Sequence, residues 1–126
     1  MTLFARKKRQ PQTESEEEMR RRAMALRPQR LLDWQSEPDG SVIILKPKVA
    51  NPRLARYLSH WLKNPFYRVH LDEVGSFVWR RCDGRHTVEQ ILGEMRTEFG
   101  DSVEPAFERL TLFLARLYRG KFIRYV

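Results

Sequence analysis

The chain holds 126 residues, enough for one domain and a tail, and its 24 Lys and Arg against 16 Asp and Glu give a formal net charge of +8. One cysteine, Cys82, excludes an internal disulfide and any multi-cysteine metal site. No apolar run is long enough to span a bilayer, and the charged N-terminus lacks the apolar core of a secretory signal, so a cytoplasmic location is expected. Up to Gln29 there are eight Lys/Arg and four Glu, and beyond it sixteen against twelve, so each part carries +4 and the tail is the more densely basic. Such a balance suits nucleic acid, a membrane surface or an acidic peptide and selects none of them.

Residues 1–29 are poor in core formers, and the run Arg6-Lys7-Lys8-Arg9 before Gln10-Pro11-Gln12 predicts a mostly disordered tail. Thr13 with Glu16 matches a capping box, and Glu16, Glu17 and Glu18 stand four residues before Arg20, Arg21 and Arg22. A short exposed helix from Glu14 to about Leu26 follows, ended by Pro28.

Arg30–Glu37 and Ser41–Lys46 flank Pro38-Asp39-Gly40, a turn signal, and read as an antiparallel hairpin. Asn51-Pro52 then opens a helix with Leu54, Tyr57, Leu58, Trp61 and Leu62 in one apolar stripe. That stripe predicts packing on the domain and at least partial burial of Trp61; the alternative, with Arg53, Arg56 and Lys63 around the stripe, is that the helix lies on a membrane or a partner. Beyond Asn64-Pro65, the segment Phe66-Tyr67-Arg68-Val69-His70-Leu71 alternates and is rich in β-formers, a third strand.

Asp72 is a suitable N-cap for a helix with Val74, Phe77, Val78 and Cys82 on one face, ending near Gly84. Thr87 and Gln90 make a capping box before the stripe Val88, Ile91, Leu92, Met95 and Phe99, which stops at Gly100. Pro105 suits the first turn of a last helix, whose Ala106, Phe107, Leu110, Phe113, Leu114 and Leu117 form a wide core face up to Gly120. Phe122–Val126 is a terminal strand or extended tail. The expected fold is α+β: a winged-helix-like domain over residues 30–126, with a small antiparallel three-stranded sheet followed by three helices.

In that order and spacing, Leu71-Asp72-Glu73-Val74-Gly75-Ser76, Cys82-Asp83-Gly84-Arg85-His86-Thr87-Val88-Glu89-Gln90-Ile91 and Phe113-Leu114-Ala115-Arg116-Leu117-Tyr118-Arg119-Gly120 resemble the PqqD family. This is the group of small proteins associated with pyrroloquinoline quinone biosynthesis, and it belongs to a wider set of peptide-recognition elements. The resemblance covers roughly residues 30–125. The segment from about 49 to 65 looks like an insertion, and the basic tail is extra. The resemblance implies a bacterial peptide chaperone, without catalytic activity or cofactor. It would capture the leader of a ribosomally made precursor peptide and present it to a modifying enzyme, often a radical S-adenosylmethionine protein. It also implies that the peptide lies between the third strand, Phe66, Tyr67, Arg68, Val69, His70 and Leu71, and the last helix, where Arg109, Leu112, Phe113 and Arg116 face it.

The residues support that mode separately. An edge strand leaves N–H and C=O groups unpaired, and an extended peptide satisfies them by adding a strand. No phosphate loop, paired His–Glu motif or nucleophile elbow is present, so an enzyme is not expected. His60, His70 and His86 have no metal-ligand spacing with each other or with Cys82, which reads as a buried small hydrophobe. The alternative of another class is a winged-helix DNA-binding protein, with Glu104–Arg119 as recognition helix and Arg109, Arg116 and Arg119 on phosphates. Glu104 and Glu108 at the start of that helix oppose it.

Overall fold

The computed structural model describes residues 15–126. The basic run Arg6–Arg9 and Thr13 of the expected capping box lie outside the described residues. Helix α1 covers residues 15–25. Its ion pair Glu18–Arg22, 3.4 Å apart and exposed, adds only about 0.2–0.5 kcal/mol. Tertiary contacts hold the helix instead. Met24 packs against the core, and the Arg20 guanidinium lies 4.0 Å above the Phe107 ring.

The chain then enters strand β1, Pro28–Arg30, which pairs antiparallel with the terminal strand β5, Ile123–Tyr125. This differs from the expected first strand Arg30–Glu37. The Arg30 N–H bonds the Cys82 carbonyl and the Leu31 N–H bonds the Phe122 carbonyl, so both donors are already committed. The hairpin accordingly begins at Asp33.

Strands β2 (Asp33–Ser36), β3 (Val42–Pro47) and β4 (Phe66–His70) form an antiparallel sheet in the order β2-β3-β4. Gly40 takes the turn between β2 and β3 with φ +88, and the Asp39 carboxylate accepts from the Ser41 N–H and hydroxyl. Across the sheet Trp34, Ile44 and Val69 stand side by side and face the core, while Gln35, Ile43 and His70 occupy the outer face.

Between β3 and β4 lies helix α2, Pro52–Leu58, capped by Asn51, whose side chain accepts from the N–H groups of Arg53 and Leu54. No residue of α2 is buried, and Trp61 just beyond it is 79% exposed. The expected burial of Trp61 is therefore corrected. Ala55 and, just beyond the helix, Leu62 are half-buried and line a cleft with Pro47, Pro65 and Phe66 at the sheet's end, while Leu54, Tyr57 and Trp61 are turned to solvent.

Three longer helices complete the fold. Helix α3 (Glu73–Arg81) starts at Asp72, whose carboxylate accepts from the Gly75 N–H at 2.7 Å. Helix α4 (Val88–Phe99) has the Thr87–Gln90 capping box in both directions. After a 3-10 turn over Gly100–Val103, helix α5 (Ala106–Arg119) ends at Gly120. Trp79, fully buried, sits among Val42, Ile44, Ile91, Met95, Leu110 and Ile123 in one core. Among the described residues the fold is α+β, with two small antiparallel sheets and five helices. The expected three-stranded sheet and three helices are thus joined by β1–β5, α1 and α2.

Candidate functional site

The register of β4 on β3 decides which of its backbone groups are free. The Leu71 N–H bonds Val42 O, and the Lys48 N–H bonds Pro65 O, at the two ends of the ladder. Antiparallel alternation then turns the N–H and C=O groups of Tyr67 and Val69 toward β3, and those of Phe66, Arg68 and His70 outward. Among the described residues no group is bonded to these outward-facing ones. The other edge is shielded. Arg30 and Arg80 both lie over the Trp34 ring on β2, and Arg80 bonds the Ser36 hydroxyl. Cationic cover of this kind blunts a strand edge.

Where β4 ends, a groove of about 450 Å³ opens between the strand, α3 and α5. His70, Leu71, Arg109 and Phe113 line it with Val74, Val78 and Leu110. Its floor is apolar. Asp72 and Arg109 provide opposite charges at the rim, and Arg109 also donates to Ser102 O at 3.4 Å. Gly75 suits the cap of α3, since a Cβ there would crowd the Asp72 Oδ1 at 3.0 Å, while Phe113 Cζ on α5 would lie at an ordinary contact distance of 3.5 Å.

Four of the ten residues expected from the sequence therefore meet in one groove: His70, Leu71, Arg109 and Phe113. Leu112 and Arg116 are exposed on the same side of α5, spaced three and seven residues from Arg109, and extend the surface beyond the groove. Arg68 reaches across β3 to Gln35 Oε1 at 3.2 Å, away from the free edge. Val69 faces the core, and Tyr67 lies under the Lys48 ammonium at 5.4 Å. Phe66 lines a different cleft, beneath α2. Val74, Val78 and Leu110 were missed as site residues because their helical spacing is that of core positions.

The rival centres are structural. Burial pushes the Cys82 thiol up to about 12, and the thiol donates to Val78 O at 3.3 Å. His86 is held between Asp83 at 2.9 Å and Glu94 at 3.3 Å. Among the described residues no three His, Cys, Asp or Glu side chains gather as a metal site. At the start of α5, Glu104 accepts from the Ala106 N–H and pairs with Arg96, which keeps its carboxyl low and its charge in place.

A protein-family model, Coenzyme PQQ synthesis protein D (PqqD), matches residues 67–123. Over these residues the chain is similar to the PqqD family. No curated protein and no solved structure matches it. The PqqD match takes in most of β4 and all of α3, α4 and α5, and with them the whole groove. It leaves out α1, the β2–β3 hairpin and α2. PqqD proteins are non-catalytic accessory proteins, and at the family level the role is a peptide-binding one related to coenzyme PQQ synthesis. No helix among the described residues is long and apolar enough to cross a membrane.

Proposed function

We propose that this chain is a peptide-binding module with a winged-helix-like core, which captures the leader of a precursor peptide as a fourth strand on β4 and presents it to a modifying enzyme. The reading rests chiefly on the three outward-facing backbone pairs of Phe66, Arg68 and His70, which lead directly into an apolar groove on α5. An added strand takes affinity from the backbone pairs and selectivity from side chains that enter the groove. Arg109 at the rim and Arg116 farther along α5 favour acidic residues in the part of the leader that passes them. The carboxylates of Glu104 and Glu108 at the start of α5 weigh against the reading as a DNA-recognition helix, whose first turns would approach phosphate.

The test is an NMR titration with leader peptides of short precursor peptides encoded in the same genome, together with versions N-methylated at alternate amides. Methylation in the register that meets β4 should abolish the shifts in β4 and α5, and methylation in the other register should spare them. On the protein side, His70→Pro removes an outward donor, whereas Val69→Pro removes a β3 ladder bond and should cost stability by at least ~1 kcal/mol. Equal binding by both methylated series would rule out strand addition. Saturable shifts with duplex DNA and none with peptide would overturn the whole reading.

A further inference from the structure

Charge is unevenly distributed along the folded chain. Between Gly40 and Leu71 there are six Lys or Arg and no Asp or Glu, whereas residues 72–126 contain nine of each sign. The acid-free segment is β3, α2 and β4, so α2 lies in its middle.

Helix α2 and the turn that follows it, to Leu62, carry two apolar strips. Ala55 and Leu62 turn inward over Pro47, Val49, Pro65 and Phe66. Leu54, Tyr57 and Trp61, spaced three and four residues apart, turn outward and are exposed at 48%, 75% and 79%. Arg53, Arg56, His60 and Lys63 flank this outer strip, and all four are exposed. Nothing among the described residues covers it.

We infer that the outer strip of α2 is an interfacial anchor that docks the protein on an anionic lipid surface. Its composition is that of a helix lying in the headgroup layer: Trp and Tyr with an aliphatic partner, bordered by Arg and Lys, and with no carboxylate to be repelled. Cations close to such a surface each add attraction, and none here is cancelled by a neighbouring acid. The strip also adjoins the proposed peptide track without sharing it. Phe66 begins β4 beside α2, and the groove opens beyond His70, about 13 Å along the strand. A docked module would therefore hold its leader-binding edge against the membrane at one end and free at the other.

The test uses the full chain and two kinds of vesicle, phosphatidylcholine alone and phosphatidylcholine mixed with phosphatidylglycerol. The chain should float with the anionic vesicles and not with the neutral ones, and tryptophan emission should move to shorter wavelength. Binding should collapse at about 1 M salt, where the screening length falls to ~3 Å. Tyr57→Ser with Trp61→Ser should lower partitioning at least tenfold and abolish the emission change, and Arg53→Glu with Arg56→Glu should lower partitioning as far. All four side chains are exposed, so both variants should melt as the parent does. The proposal is overturned if the parent does not float, or if the serine variant floats equally well. Binding of duplex DNA that requires Tyr57 and Trp61, with no binding to vesicles, would equally overturn it. Leader binding is read separately by the titration above and should survive both variants.

Discussion

Asp83 shows how one short side chain fixes the turn between α3 and α4. Its Oδ1 accepts from the N–H groups of Arg85 at 2.8 Å and His86 at 2.9 Å, and its Oδ2 meets His86 Nδ1 at 2.9 Å. Partial burial disfavours the charge, but these donors together outweigh it and hold the carboxyl at about 2, below its ordinary 3.8. A depressed folded-state pKa contributes stability that is complete above the unfolded value and is lost as pH falls through the folded one. The melting temperature should therefore drop between about pH 4 and pH 2. In Asp83→Asn, which keeps an acceptor oxygen but cannot titrate, this part of the profile should be flatter. Parallel slopes for the two proteins would show that the carboxylate contributes nothing.

At the scale of elements, the decisive pairing is between the two ends of the described chain. Strand β1 fills the space beside β5, and its residues do more than extend a sheet. Pro28 O accepts from the Gly84 N–H, and the Arg30 guanidinium donates at 2.9 and 2.8 Å to Trp79 O and Arg80 O in the last turn of α3, the first of which also accepts from the Cys82 N–H. We propose that the folded unit begins near Leu26, whose carbonyl accepts from the Val88 N–H. A fragment of residues 26–126 should unfold cooperatively close to the parent temperature. One of residues 31–126, without β1 and Arg30, should melt about 5–10 °C lower. Indistinguishable transitions would place β1 outside the cooperative unit.

For the whole molecule, the three tryptophans report three environments. Trp79 is fully buried, Trp34 is half-buried beneath two arginines, and Trp61 stands in solvent. Iodide should therefore quench a substantial fraction of native emission, and Trp61→Phe should remove most of that fraction without changing the melting temperature. Retention of the quenchable fraction in the variant would show that α2 is folded against the domain in solution.

The helix boundaries were legible in the sequence because the chemistry that sets them acts over three or four residues. Asp72 caps α3, Thr87 and Gln90 cap each other, Gly100 ends α4, and each needs no distant partner. The hairpin turn at Pro38-Asp39-Gly40 and the strand Phe66–His70 were legible for the same local reason. The tertiary structure decided what depends on residues far apart in the chain. Arg30 left the hairpin because β1 has its partner in β5, with Gln29 and Arg124 joined 95 residues apart. Val74, Val78 and Leu110 have the spacing of any core stripe, and only the approach of α3 to α5 beside the end of β4 makes them the floor of a groove. The apolar stripe of α2 predicted a buried face, but periodicity fixes which residues share a side, not whether enough surface lies opposite to cover them. Here Ala55 and Leu62 are half-buried in a cleft at the sheet's end, and Leu54, Tyr57 and Trp61 are left to the solvent.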